Sequence, residues 1–272
     1  MKKLLAITAL SAALFFGQTA AAEEKAAEEV KPSHVEMVLV LDESGSMSDL
    51  TRDTIGGFNS MIEKEKKLDV DAHVTTVLFN DQYKMLYNRR ELKDVSKMTD
   101  KDYMPGGMTA LLDAVGRTIH KMDMVAGIHR KDKGNKVLFV IITDGEENDS
   151  KEYTYADVKK LIKDRQENAG WEFIFLGANI DAAAEAENLG IDRDRAVKYK
   201  NTGSGVRANF MAVAELSDSL AKSGRVSDEW KSQVEEDTDE NVMAPPADTK
   251  EHTAPPAKPV KEHLVSKVRK AK

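Results

Sequence analysis

The sequence predicts an α/β fold in which a doubly wound, mostly parallel central sheet carries helices on both faces and one antiparallel edge strand. Apolar runs of strand length alternate along the chain with segments of helical periodicity, a pattern typical of such sheets. The run 136–143 is the most apolar strand candidate, as expected for the middle of a parallel sheet covered on both faces. Residues 83–87 closely follow another strand candidate and are predicted to return beside it as a hairpin.

The predicted strands are short apolar or β-branched runs, at 36–41, 72–80, 83–87, 136–143, 172–176 and 196–199. The predicted helices lie between and after them, at 50–67, 110–124, 155–168, 181–189 and 206–221. In the first helix, apolar residues recur at Ile55, Phe58 and Ile62, and Asp181 is predicted to cap the fourth helix. Right-handed crossovers would bring the loops after the parallel strands to one edge of the sheet, where ligands bind in such folds.

Composition excludes several classes of function. The 272 residues carry a net charge of −7, whereas general nucleic-acid binding needs a basic surface. The chain contains no cysteine, which excludes disulfides, thiolate chemistry and cysteine-bound zinc. Its six histidines lack the H-x-x-x-H or H-E-x-x-H spacing of a catalytic zinc site, so no such site is predicted.

The amino terminus has the pattern of a secretory signal peptide. Two lysines precede an apolar stretch at 4–16, and three alanines then supply the small residues for cleavage after Ala22. An uncleaved membrane anchor is the alternative, but the apolar stretch is shorter than the ~20 residues that span a bilayer. We therefore expect export to the periplasm or the extracellular space, with no transmembrane span in the mature chain.

The predicted domain organisation has four segments. Residues 1–22 are the signal peptide, 23–33 a flexible spacer, 34–222 the α/β domain, and 223–272 a disordered tail. The tail is acidic at first and then rich in proline and lysine, a composition that buries too little apolar surface to offset the entropy lost on ordering.

Oxygen-bearing side chains come directly after two of the predicted strands. Asp42, Ser44 and Ser46 follow the first strand, and Asp144 follows the fourth; Thr109 lies between them in the chain, at the start of the second helix. Taken singly, each would be interpreted as a turn or a helix cap. Together they offer two carboxylates and three hydroxyls, an all-oxygen set that suits Mg²⁺, with Mn²⁺ or Ca²⁺ as alternatives.

The spacing of these residues resembles the metal-ion-dependent adhesion site of the von Willebrand factor type A (vWA) family, written D-x-S-x-S, then T, then D. The match is Asp42, Ser44, Ser46, Thr109 and Asp144, and the resemblance covers about residues 35–222. It implies that the hydroxyls coordinate the cation directly, that the two aspartates often act through water, and that one coordination position stays open. It further implies that a protein partner fills this position with an Asp or Glu side chain. The expected function is thus that of an exported, metal-dependent protein-binding module, not an enzyme.

Two other functions remain open from the sequence. A scaffold or assembly factor for an envelope complex would use the same metal site, and only its partner would differ. A Mg²⁺-dependent hydrolase would need a general base with a paired partner, which the sequence does not display.

Three features near the predicted site have more than one interpretation. Residues 146–149 are interpreted as a solvated loop, as a second, weaker cation site, or as a selectivity filter that disfavours strongly acidic partners. Asp113 would either support the site from the next layer of side chains or be an ordinary exposed helix residue. Trp230 is predicted to cap the domain where the tail leaves it.

Overall fold

The sheet is centred on two strands that follow the predicted apolar runs. The structure, a computed structural model, describes residues 34–68, 70–125 and 135–235. Its strands are β1 His34–Asp42, β2 Ala72–Phe79, β3 Tyr83–Glu91, β4 Asn135–Thr143, β5 Glu172–Gly177 and β6 Ala196–Lys198. They form a six-stranded sheet of order β3-β2-β1-β4-β5-β6. Only the β2–β3 pair is antiparallel among these neighbours, which confirms the predicted fold class.

The helices of the described residues are α1 Thr51–Lys67, α2 Leu111–Asp123, α3 Tyr155–Asp164, α4 Ala182–Leu189, α5 Gly203–Ser223 and α6 Ser232–Glu235. The predicted cap at Asp181 is confirmed, because its side chain accepts a hydrogen bond from the Ala184 amide at 3.0 Å. The helix predicted at 155–168 changes after Asp164 into a π-helical turn, Arg165–Ala169, which is followed by the cap residue Gly170 with a φ of 69°. The last of the predicted helices, α5, begins three residues earlier than predicted, because the Thr202 side chain caps it.

Two apolar clusters lie on opposite faces of the sheet. Met37 and Leu39 of β1 belong to the cluster that includes α1 and α5, whereas Val38 and Val40 belong to the one that includes α2, α3 and α4. All four side chains are fully buried. A central strand with helices on both faces is therefore apolar at successive positions, which explains why its sequence shows a continuous run instead of alternation.

The packed part of the chain extends past residue 222, where the domain was predicted to end. Val226, Trp230 and Val234 are buried within the cluster that includes α1 and α5, and Trp230 is 1% exposed. Trp230 thus covers this end of the core, as we predicted from the sequence. The predicted signal peptide, the spacer and the tail beyond residue 235 lie outside the described residues.

None of the described helices combines the length and the hydropathy needed to cross a bilayer.

Candidate metal centre

The candidate site begins at the carboxyl end of β1, where Asp42 is 1% exposed. One of its carboxylate oxygens accepts a hydrogen bond from the Ser44 backbone amide at 2.7 Å, and the other accepts one from the Thr143 hydroxyl at 2.6 Å. Thr143 is the last residue of β4, which pairs with β1. The pairing of the two central strands therefore fixes the Asp42 carboxylate. Sequence reasoning missed Thr143 because its role depends on this pairing.

Ser46 connects the two aspartate-bearing loops. Its hydroxyl lies 3.1 Å from the Ser44 hydroxyl and donates a hydrogen bond to an Asp144 carboxylate oxygen at 2.5 Å. Because its proton is directed at Asp144, the Ser46 oxygen keeps lone pairs that a cation could use. Asp42 and Asp144 are 1% and 2% exposed, whereas Ser46 between them is exposed. Solvent therefore reaches this group of oxygen atoms at Ser46.

Thr109 reaches the site from the loop before α2. Its backbone amide donates to the Asn148 side chain at 2.9 Å, and its carbonyl accepts from the Asn148 amide at 3.0 Å. No other described residue forms a hydrogen bond with its hydroxyl. A Cβ atom added at Gly145 would lie 3.7 Å from Thr109 Oγ1 and 3.9 Å from Ser46 Oγ. The two hydroxyls thus border one space that a side chain at position 145 would fill, and the oxygen donors around it fit a hard cation.

The loop that carries the threonine is tied to the end of β1. The Gly106 amide donates to the Glu43 carbonyl at 2.9 Å, and the Gly45 amide donates to the Gly107 carbonyl at 3.2 Å. Gly107 has a φ of 76°, and a Cβ atom there would lie 1.9 Å from Asp81 Oδ1. Glycine is therefore required at 107 both by the backbone conformation and by the close approach of Asp81.

Two buried tyrosines hold the strand ends that carry the site. The Tyr103 hydroxyl donates to the Asp42 carbonyl at 2.6 Å, and the Tyr199 hydroxyl donates to the Thr143 carbonyl at 3.2 Å. Burial raises the pKa of both hydroxyls well above the ordinary value, and the nearby aspartates raise it further. Both side chains therefore remain protonated donors at neutral pH. Neither was predicted, because no local pattern links these tyrosines to the strand ends.

The acidic loop that follows β4 is held by its own hydrogen bonds. The Glu147 carboxylate accepts from the Leu112 amide at 2.9 Å, at the amino end of α2, and from the Asp149 and Ser150 amides at 2.9 and 2.7 Å. A carboxylate at this place satisfies free amides of the helix and interacts favourably with its dipole. The Glu147 side chain thus holds the backbone of this loop in place, whereas the Glu146 side chain is exposed. A second cation site in this loop stays a hypothesis.

Asp113 is buried and anchors the segment that leads into α3. Its carboxylate accepts hydrogen bonds from the amides of Lys151, Glu152 and Tyr153 at 3.0, 2.9 and 2.9 Å. Burial opposes its ionisation, but these backbone bonds lower its pKa below the ordinary value. The interpretation of Asp113 as an exposed helix residue is therefore wrong. In the described part of the chain no hydrogen bond joins it to the five predicted site residues.

The site contains two buried carboxylates, those of Asp42 and Asp144. Among the described residues, no lysine or arginine forms an ion pair with Asp42 or Asp144. Burial raises the pKa of Asp42, hydrogen bonds from Ser44 and Thr143 oppose this, and the charge of Asp144 raises it further. A dication would relieve this repulsion, and the hydroxyl and carboxylate oxygens are donors that Mg²⁺ accepts.

The part of the chain that builds this site matches a known family model. That model is described as the vWA found in the TerF C terminus, vWA-TerF-like, and it covers residues 34–198, more than half of the chain. The chain belongs to this vWA family. The match runs from β1 to β6, so it includes all five residues that the sequence singled out.

The fold of this domain is similar to that of solved structures at low sequence identity. The pilus adhesin SpaC from Lactobacillus rhamnosus GG, in its open conformation, is 14% identical, with a TM-score of 0.55 over 71% of this chain and 31% of that protein. The vWF domain of the type V pili tip protein Mfa5 from Porphyromonas gingivalis is 12% identical, with a TM-score of 0.49 over 72% of this chain and 99% of that domain. A von Willebrand factor type A protein from Catenulispora acidiphila is 16% identical, with a TM-score of 0.48 over 68% of this chain and 43% of that protein.

This vWA chain spans less than half of the length of SpaC and of the Catenulispora acidiphila protein. No curated protein matches it.

Proposed function

We propose that this vWA protein is an exported protein-binding module that uses a divalent cation, Mg²⁺ in the first instance, to capture an acidic side chain of a protein partner. The residues that would hold the cation are Asp42, Ser44, Ser46, Thr109 and Asp144. The supporting observation is that three separate loops bring these oxygen donors to one edge of the sheet. Ser46 joins the loop after β1 to the loop after β4 through its bond to Asp144.

The choice of donors explains why an acidic partner is expected. Three of the five donors are neutral hydroxyls, which leave much of the cation's charge unbalanced, and Mg²⁺ commonly takes only part of its octahedral shell from one protein. The exposed position of Ser46 gives a partner access to this shell. A carboxylate from a partner supplies both the missing oxygen and the missing negative charge.

The surface around the site favours a protein partner over a small ion. Met104 is 62% exposed and Met108 is 51% exposed, and both belong to the loop that carries Thr109. Flexible thioether side chains adapt to irregular apolar surfaces. Together with the exposed Glu146 of the loop after β4, they would form a contact surface with apolar and polar parts around the bound carboxylate.

Export is proposed from the signal-peptide pattern at 1–22, which lies outside the described residues. SpaC, a solved protein with a similar fold, is a pilus adhesin. Binding at a cell surface or in the envelope is consistent with both observations, and no catalytic role is proposed for the site residues.

The metal site is tested by thermal unfolding with and without MgCl₂. At a Mg²⁺ concentration 100 times Kd, binding adds about 2.7 kcal/mol to the free energy of unfolding. For a domain of this size that raises Tm by about 5–10 °C. The variants Asp42→Ala and Asp144→Ala should lose this response, whereas Asp49→Asn should keep it. Asp49 is a suitable control because it is exposed and lies in the same turn as Ser46. An equal Mg²⁺ response in the wild type and in Asp42→Ala would refute the site.

The partner is tested by affinity capture from envelope and extracellular fractions, with Mg²⁺ and again with EDTA. A protein retained by the wild type with Mg²⁺, but neither with EDTA nor by Asp42→Ala, would support metal-dependent binding. Each Asp and Glu in that protein's contact segment is then neutralised in turn. Retention should be lost only when the residue that binds the cation is changed. Equal capture under all conditions would mean that another surface binds the partner. A constant, stoichiometric envelope complex would instead favour an assembly role.

A further inference from the structure

A second cluster of metal-ligating side chains lies at the opposite edge of the sheet, near the amino ends of β1 and β2. His34 and Glu36 are two residues apart on β1, so both project from the same face of the strand. His73 of β2 is the direct partner of Glu36 in the parallel register. The sheet thus brings an H-x-E pair and a distant histidine together, which no spacing along the chain could indicate.

The ligating atoms of these three residues converge on one point. His34 Nε2 and His73 Nδ1 are 2.8 Å apart, and Glu36 Oε1 lies 3.4 Å from the first and 3.6 Å from the second. A tetrahedral cation with bonds of about 2.0–2.1 Å needs ligand atoms roughly 3.3 Å from one another. The three distances bracket this value, so a cation could be held here with only small side-chain movements.

We propose that His34, Glu36 and His73 form a second metal site, selective for a transition-metal dication such as Zn²⁺ and distinct from the oxygen-lined site. Imidazole nitrogen is a preferred ligand of Zn²⁺, Ni²⁺ and Co²⁺ and a poor one for Mg²⁺. The two sites lie at opposite edges of the sheet, with opposite donor preferences, so each would take its own cation.

A neighbouring carboxylate orients the first histidine for this role. Asp71 Oδ1 lies 3.0 Å from His34 Nδ1. If His34 carries its proton on Nδ1 and donates it to Asp71, the lone pair of Nε2 points at Glu36 and His73. Metal-bound histidines commonly have such a carboxylate on the ring nitrogen that does not bind the metal, because it fixes the tautomer and raises ligand basicity.

The third ligand is also held in place. Glu36 is 2% exposed, and Arg89 Nε donates to its two carboxylate oxygens at 3.2 and 3.0 Å. Arg89 Nη2 also donates to Glu36 Oε1, the oxygen that faces both imidazoles, so a bound cation would share this oxygen with the guanidinium. Glu36 and Asp71 together carry two negative charges against the one positive charge of Arg89, so the cluster keeps a net negative charge for a dication.

The same contacts could instead form a metal-free network that joins β1, β2 and β3, in which His34 and His73 share one proton at the 2.8 Å contact. The two accounts differ in one measurable respect. In the proposed site a dication replaces that proton, whereas the metal-free network has no affinity for metal beyond that of ordinary surface histidines.

The test is isothermal titration of the full chain with ZnCl₂, with MgCl₂ present throughout to occupy the oxygen-lined site. We expect one Zn²⁺ per chain to bind in the wild type and its affinity to fall at least about tenfold in His73→Gln, which removes one ligand atom but keeps a polar side chain. His120→Gln is the matched control, because His120 is an exposed histidine on α2 outside the cluster. It should bind Zn²⁺ as the wild type does.

Cobalt supplies an independent readout. The Co²⁺-loaded wild type should show the intense visible bands of a tetrahedral nitrogen–oxygen site, and His73→Gln should not. Equal melting temperatures of the two proteins in EDTA would establish that both are folded, and Glu36→Gln provides a second variant if His73→Gln is unstable. Equal Zn²⁺ affinity in the wild type and the cluster variants would overturn the proposal. Asp42→Ala should leave Zn²⁺ binding unchanged, so this test and that of the oxygen-lined site fail separately.

Discussion

Glu65 is a buried acid whose ionisation should make the stability of the domain depend on pH. It lies on α1 and is 0% exposed. One carboxylate oxygen accepts a hydrogen bond from the Ser217 hydroxyl of α5 at 2.8 Å, and the other has no partner among the described residues. An unpaired charged oxygen in such a place is costly, so the protonated form is favoured in the folded state.

The magnitude follows from the pKa. Burial raises the pKa of Glu65 from 4.5 to about 7, although the Ser217 bond lowers it in part and Asp218 raises it further. Each pKa unit corresponds to about 1.4 kcal/mol, so the full shift is worth about 3 kcal/mol. The folded state binds this proton more tightly than the unfolded chain does. The free energy of unfolding therefore loses this amount as the pH rises from about 4.5 to about 7, and most of the loss falls between about pH 5 and pH 8.

The assay is urea unfolding at about pH 5 and about pH 8, comparing the wild type with Glu65→Gln. The amide has the size of the protonated acid and never ionises, so the variant should be more stable than the wild type by about 3 kcal/mol at the higher pH and by less than about 1 kcal/mol at the lower one. Glu63→Gln is the matched control: it changes an exposed acid on the same helix and should follow the wild type at both pH values. Parallel pH dependence in the wild type and Glu65→Gln would refute the reasoning.

Two further predictions concern the frame around the site. Asp113→Asn should lower the free energy of unfolding by about 1–3 kcal/mol, because the new NH₂ group would face the Lys151 backbone amide, which now donates a hydrogen bond to the carboxylate. Chemical denaturation checks this, and an unchanged midpoint would contradict it. Trp230→Ala should cost about 3 kcal/mol or more, since it leaves a cavity in the core; a loss below about 1 kcal/mol by the same measurement would mean that the segment after α5 does not belong to the folded unit.

The sequence predicted the fold because its signals are local. Apolar runs of strand length and helical stripes such as Ile55, Phe58 and Ile62 depend only on neighbours in the chain. The described residues form the predicted sheet, with six strands and one antiparallel pair. Element ends were less predictable. The π-helical turn after Asp164 and the cap at Thr202 depend on individual hydrogen bonds that leave the hydrophobic pattern unchanged.

The candidate site divides in the same way. The five oxygen-bearing residues were predicted from the sequence because each follows a strand or closely precedes a helix, and the sheet brings these ends to one edge. Their supports were not found. Thr143, Tyr103 and Asn148 act through hydrogen bonds to residues 101, 61 and 39 positions away in the chain. The family resemblance indicated which residues form the candidate site, and only the folded structure shows which residues hold them in place.

By itself the sequence determined which segments become strands and helices and which residues stand at the strand ends, because burial periodicity and turn chemistry act over a few residues. Apart from the β2–β3 hairpin, which the short connection predicted, the tertiary structure alone decided which strands are neighbours. That decision placed Thr143 against Asp42 and brought His73 beside Glu36. It also placed Trp230 in the core, so the packed part of the chain extends past the last predicted helix. The physical reason is that parallel strands are joined by long crossovers, so their order depends on packing between residues far apart in the chain.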